Sequence, residues 1–250
     1  MIDKISVKDL LFSYDNSENV IKNVNYTFSS KTIQTLIGPN GSGKSTLLSL
    51  LLGFYKSQQG SVYYDETNLV DISLNKRASL VSYVPQHSSY ESNFTVREIV
   101  TMGMFANNSQ RIVIDRVLNE LGLLKLKDKP LYVLSGGQVK LVYIARAIAQ
   151  DTPFIVMDEP TTNLDLYFQH LIYELLKSIS KDKGIILSLH DLSMASEISN
   201  ALLLIDKGRL VVSGDSFDVL SDENIRTYFN ISAQLRRIES NNLLIKAIIE

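Results

Sequence analysis

The sequence predicts an α/β fold: a mostly parallel sheet covered by helices on both faces, interrupted by a mostly helical insert from about residue 87 to 150. Two observations carry this. Short apolar, β-branched runs recur between segments of helical periodicity, and a glycine-rich loop joins one such run to a leucine-rich segment. With 250 residues, 45% of them hydrophobic and 21% charged, the chain has enough apolar material for a real core. A net charge of −2 (25 Lys+Arg against 27 Asp+Glu) fits neither a polyanion-coating protein nor an acidic solvating tail. No apolar run approaches the roughly 18 residues a membrane span requires, and Met1 to Ser6 lacks the apolar region of a secretory signal. The cytosol is therefore the expected compartment. Zero cysteines exclude disulfides, thiolate metal sites and a cysteine nucleophile.

In chain order, Ile5–Leu10 and Val24–Phe28 alternate as strands, and Thr32–Ile37 is a β-branched, largely apolar run. Leu47–Leu52 is apolar all round, which predicts a buried helix ended by Gly53. Thr95 and Glu98 have capping-box spacing ahead of an apolar run, and Gln110 to Leu121 repeats apolar residues at helical intervals. Strand character returns at Phe154–Met157, Gly184–Leu189 and Ala201–Ile205, with a helix over Leu166 to Ile179 between the first two.

Three segments carry chemistry. Gly38-Pro39-Asn40-Gly41-Ser42-Gly43-Lys44-Ser45 fits G-x-x-x-x-G-K-[ST], following a predicted strand and opening a predicted helix. The glycines let backbone N–H groups converge on phosphate oxygens, and the helix N-terminus adds a favourable dipole. Lys44 supplies positive charge for the β- and γ-phosphates, and the Ser45 hydroxyl is placed to ligate Mg²⁺. In Phe154–Pro160 four apolar residues lead to Asp158 and Glu159 at the carboxyl edge of the sheet, where ligands bind in open α/β folds. Asp158 suits Mg²⁺. Alternation along a strand predicts that Glu159 faces the other way and is free to polarise a water. In Leu134-Ser135-Gly136-Gly137-Gln138, Ser135 and Gln138 have capping-box spacing. Two adjacent glycines destabilise a helix start by about 0.5–1 kcal/mol each, a sacrifice that suits N–H groups needed by an anion.

These segments together resemble the nucleotide-binding subunit of an ABC transporter, over about residues 2–230. Gly38–Thr46 resembles its Walker A motif, Phe154–Glu159 its Walker B motif and Leu134–Gln138 its signature. Tyr14 resembles the aromatic that stacks on adenine, Gln86 the Q-loop glutamine, His190 the H-loop histidine, and Asn163-Leu164-Asp165 the D-loop. The resemblance implies a P-loop NTPase (ABC ATPase) core at about 1–86 and 150–215, with an N-terminal antiparallel β-subdomain. It further implies a helical subdomain at about 87–149 and a short extension at 231–250. The implied cofactors are ATP and Mg²⁺, the metal held by Ser45, Gln86 and Asp158. Glu159, His190 and Gln86 would be catalytic. Tyr14, the P-loop residues and Asp165 would bind nucleotide, as would Ser135, Gly136, Gly137 and Gln138, these four acting in trans on a second copy packed head to tail. The chain departs from the family pattern at Val139-Lys140-Leu141, where polar or basic residues are usual, and at Ser30, where glycine often stands. His87 and His170 read as structural or solvent-facing, and Arg236-Arg237 as a solvated pair.

Within the family, Ala149–Pro153 leading into Walker B, then Thr161–Asp165 with Gln169-His170, resembles ATPases that energise uptake of iron–siderophores, haem or cobalamin. The length leaves no room for a duplicated cassette, fused membrane domains, long heptad arms or a C-terminal regulatory barrel. The implied partners are a second copy, integral membrane permease subunits and, indirectly, an extracytoplasmic substrate-binding protein, with the chain on the cytoplasmic face of the membrane. Zinc or manganese importers and the soluble ATPases of iron–sulfur cluster assembly are the alternatives. A nucleic-acid partner is disfavoured by the charge.

Overall fold

The computed structural model describes residues 2–15, 18–86, 93–106, 112–239 and 242–248. Two alternating strands, β1 (Lys4–Phe12) and β2 (Ile21–Ser29), pair antiparallel, Ile5 opposite Phe28. They are followed by β3 (Ile33–Ile37) and α1 (Lys44–Leu52). Gly53 closes α1 in a left-handed conformation at φ 72°, as the leucine run and its glycine predict. Next come β4 (Gln59–Tyr64), the short β5 (Thr67–Asn68), α2 (Leu74–Ala78) and β6 (Val81–Val84). The helical stretch comprises α3 (Val96–Gly103), α4 (Ile112–Glu120) and α5 (Gly136–Ala149). The Thr95/Glu98 capping box forms at the start of α3. Thereafter β7 (Phe154–Asp158), α6 (Leu166–Ile179), β8 (Gly184–Ser188), α7 (Leu192–Ile198) and β9 (Ala201–Asp206) alternate. The chain continues through β10 (Arg209–Gly214), α8 (Ser216–Val219), α9 (Asp222–Phe229), β11 (Ser232–Glu239) and β12 (Asn242–Ile248).

Among the described residues these strands form an antiparallel sheet ordered β2-β1-β4-β5 and a six-stranded sheet ordered β10-β9-β3-β8-β7-β6. The latter is parallel except for β10, which pairs antiparallel with β9 at the edge. The near-continuous apolar runs of its central strands follow from burial on both faces. Ile155 and Met157 of β7, Ile185 and Leu187 of β8, and Leu202 and Leu204 of β9 join one core with α3 to α6. The intervening Phe154, Val156, Ile186, Leu203 and Ile205 join the other, with α1 and the antiparallel sheet. The strands β3, β8, β7 and β6 are neighbours and parallel, so the loops after all four open at one edge of the sheet.

Within the extension expected at 231–250, Ser232–Glu239 and Asn242–Ile248 pair antiparallel, and the second strand lies against α7. The side chains of Arg236 and Arg237 are outside the described residues, as is His87; His170 is exposed on α6. Helices α3 and α5 approach so closely at Gly103 that an added Cβ there would lie 2.2 Å from the Arg146 carbonyl oxygen. Gly103→Ala should therefore lower stability by about 1–3 kcal/mol through overpacking, read as a drop in urea midpoint at unchanged slope.

Candidate nucleotide site

The loop after β3 is built for close approach. Gly38 has φ 145°, and a Cβ there would meet the Ile205 carbonyl oxygen at 2.0 Å, so no other residue fits. Gly41 has φ 75°, and a Cβ would meet nothing within 4 Å; here the backbone faces open space. Gly43 is the N-cap of α1 and offers no side chain to it, and the first turn holds no acidic residue. The first-turn N–H groups therefore stay available to an anion, favoured by the helix dipole. Lys44 is 5% exposed, and its ammonium donates to the carbonyl oxygens of Gly38 at 2.8 Å and Pro39 at 2.9 Å. Burial pushes Lys44 below the usual lysine range, against the upward pull of Glu159 and Asp158. The Ser42 hydroxyl is buried without a hydrogen-bond partner among the described residues. Buried polar atoms are rarely left so, and a phosphate oxygen in the loop fits as its partner.

Across a cavity of about 500 Å³ from Asn40–Thr46 stand Gln86, Glu159 and His190. Each follows one of the neighbouring parallel strands: Gln86 after β6, Glu159 after β7 and His190 after β8. Glu159 is not part of the strand alternation from which its direction was read. β7 ends at Asp158, and Glu159 takes a left-handed conformation at φ 45°. The turn, not the pleat, separates the two carboxylates. Glu159 is 6% exposed and fully engaged: Gln86 Nε2 donates to Oε2 at 2.8 Å, Thr162 Oγ1 donates to the same oxygen at 3.0 Å, and His190 Nε2 lies 2.5 Å from Oε1.

Asp158, 4% exposed, accepts a 2.6 Å hydrogen bond from Ser188 Oγ, which itself accepts from the Glu159 N–H at 2.9 Å. Ser188 thus ties the Asp158 carboxylate to the main chain at Glu159, a role the sequence does not reveal. Its signal was a lone hydroxyl closing an apolar strand, a place where a buried polar group must have a partner. Ser188→Ala should lower stability by about 1–3 kcal/mol by orphaning a buried N–H and a carboxylate oxygen, measured by thermal or urea unfolding.

The other sequence-derived candidates do not line this cavity themselves, although Tyr14 touches its rim at Thr46. Tyr14 is half-exposed, packs edge-on against Phe12 and Tyr55, and its hydroxyl is 2.8 Å from Thr46 Oγ1. Ser135 and Gln138 close the capping box of α5: Ser135 Oγ accepts from the Gln138 N–H, and Gln138 Oε1 accepts from the Ser135 N–H. Ser135 and Gly136 are exposed at the head of α5 and do not line the cavity of their own chain. A Cβ on Gly137 would press on the Phe168 ring at 2.6 Å, so this glycine also serves α5–α6 packing. Asp165 N-caps α6 by accepting from the Phe168 N–H at 3.0 Å.

The family departures acquire a reason. Val139 and Leu141 are at most 1% exposed and sit in the core around α3 to α6. Between them Lys140 is 5% exposed, and its ammonium donates to the carbonyl oxygens of Pro85 and Gln86, both at 2.9 Å. Burial pushes Lys140 down to about 8, although Asp158 and Glu159 pull it upward.

For Mg²⁺ the donor set is suitable. Ser45 faces the cavity, Asp158 has a carboxylate oxygen beyond the one bonded to Ser188, and the Gln86 side-chain oxygen Oε1 is not consumed by the bond its Nε2 makes. These are hard oxygen ligands, few enough to leave positions for phosphate and water, the arrangement Mg²⁺ favours.

A glycine loop between a parallel strand and a helix, facing carboxylates at the end of β7 with β8 lying between the two strands, defines a P-loop nucleotide-binding protein. The chain belongs to the ABC transporter family and is an ABC ATPase: the family model described as ABC transporter matches residues 21–162. Among curated relatives, it is 32% identical to the iron(3+)-hydroxamate import ATP-binding protein FhuC of Bacillus subtilis over 94% of this chain and 90% of that one. It is also 32% identical to the hemin import ATP-binding protein HmuV of Agrobacterium fabrum, over 84% of this chain and 85% of that one. Of solved structures, an inward-facing metal-chelate type ABC transporter matches with TM-score 0.82 and 28% identity, covering 100% of this chain and 98% of that one. A dimeric ATP-binding cassette in a post-hydrolysis state with ADP and Pi matches with TM-score 0.77 and 25% identity, over 85% of this chain and 98% of that one. Among the described residues no helix is long and apolar enough to cross a membrane.

Proposed function

We propose that this chain is the ATP-hydrolysing subunit of an importer for a metal chelate of the iron–siderophore, haem or cobalamin type. The observation that carries the chemistry is Glu159, held by Gln86, Thr162 and His190 across one cavity from the phosphate loop. The substrate class rests on near full-length likeness to import ATP-binding proteins for iron(3+)-hydroxamate, petrobactin and hemin.

In this reading the loop amides and Lys44 hold the β- and γ-phosphates. Ser45, Asp158 and Gln86 would hold Mg²⁺, whose charge would offset that of the phosphates. Glu159 accepts a proton from a water as its oxygen bonds to the γ-phosphorus and the bond to the ADP oxygen breaks. His190 orients Glu159 and contacts the γ-phosphate, and Tyr14 stacks on the adenine. A second copy, packed head to tail, brings Ser135 to Gln138 and Asp165 against the nucleotide. The N–H groups of Gly136 and Gly137, which the capping box does not use, suit that anion. The parallel-sheet body (about 1–86 and 150–215) and the helical segment (about 87–149) would then move against each other, with Gln86 at their junction and 231–250 as a short extension. Permease subunits would dock on the cytoplasmic face of the membrane, with a substrate-binding protein on the far side.

The test has two arms. The purified chain should release phosphate from Mg-ATP. In its native cells, deleting the chain should abolish uptake of ferric hydroxamate, haemin or cobalamin while zinc and manganese uptake persist. Loss of zinc or manganese uptake alone, or co-purification with soluble scaffold proteins instead of polytopic membrane proteins, would overturn the chelate-import assignment.

A further inference from the structure

The most unusual buried group outside the machinery just described is Lys140. It has no carboxylate partner within salt-bridge distance among the described residues. A buried ammonium is costly unless its donors are satisfied, and here they are directed at two main-chain carbonyls, Pro85 and Gln86. These two residues follow β6, whereas Lys140 stands on the second turn of α5, 54 positions downstream of Gln86. The helix that begins with Ser135, Gly136 and Gly137 is thus tied to the backbone of the residue whose side chain holds Glu159.

We infer that Lys140 is a positioning residue that sets the Gln86 amide against Glu159 and couples that placement to the head of α5. The inference rests on the ATPase reading for its kinetic consequence and on geometry alone for its structural one. A rigid α5 carries the register of the Ser135 turn to Lys140, and Lys140 carries it to the Gln86 main chain. Any shift of α5 along its axis moves the amide that donates to the Glu159 carboxylate. Val139 and Leu141, buried on either side, anchor this turn of α5 in the core.

The experiment compares Lys140→Met, which keeps the stem and removes the donors, with Lys140→Arg, which keeps donors. Lys140→Met should lower kcat about 10-fold with the KM for ATP changed less than twofold, and Lys140→Arg should recover most of the loss. In a Gln86→Ala background Lys140→Met should have little further effect on kcat, because the amide it positions is gone. Hydrogen exchange should accelerate in the peptide from Val81 to Gln86 in Lys140→Met and return towards wild type in Lys140→Arg. Unchanged kcat in Lys140→Met, equal kcat losses in both variants, or additive losses with Gln86→Ala would overturn the assignment. If Lys140→Met does not fold, Lys140→Gln, with one shorter donor arm, takes its place under the same criteria. A wild-type chain that binds ATP without hydrolysing it would defeat the ATPase reading. The exchange comparison would still decide whether Lys140 clamps the backbone at Gln86.

Discussion

Glu159→Gln should lower ATP turnover by about 10²-fold or more, the range a positioned general base contributes. The amide keeps the volume of the carboxylate, so the hydrogen bonds from Gln86 and Thr162 have an oxygen to find. What the substitution removes is the carboxylate proposed to accept the proton of the attacking water. Because Glu159 lies across the cavity from the phosphate loop, equilibrium ATP binding should stay within a few-fold of wild type. Phosphate release under saturating Mg-ATP, set beside a binding titration, separates the two. Near-normal hydrolysis would remove Glu159 from the role of base.

Lys44→Ala should have the opposite profile. The ammonium donates to two carbonyls of the phosphate loop, so its loss removes a cation and also unpins the loop it closes. A hydrogen bond to a charged group is worth about 1.5–3 kcal/mol, which converts to roughly 10- to 10²-fold in affinity. Loss of the loop's conformation adds to that, so ATP titration should show weakening of about 10²-fold or more. Affinity within threefold of wild type would mean that Lys44 serves only the loop.

Much of this was legible because it is local. The G-x-x-x-x-G-K-S spacing, the Leu47–Leu52 run with its closing Gly53 and the Leu166–Ile179 helix each depend on residues adjacent in the chain, and each forms where the sequence places it. The antiparallel hairpin partners β4 and β5 escaped notice because Gln59–Tyr64 mixes polar residues and a glycine, with only part of the strand buried. β6 is four residues long and β10 is a half-exposed edge, too short or too polar for a strong pattern. At the site, pleat alternation failed at Glu159 because a left-handed backbone begins there, a conformation that few residues other than glycine advertise. Ser188 and Lys140 were illegible as partners because their contacts lie 30 and 54 positions away; only the fold brings them together.

The division of each central strand between two cores has a mechanical consequence. A one-residue slip of β7 would hand each hydrophobic compartment the other's residues, Phe154 trading places with Ile155. The interior therefore acts as a vernier for the catalytic edge. The side chains that fill the two compartments also fix, to within one peptide, how far Asp158 protrudes beside the loop that Lys44 closes.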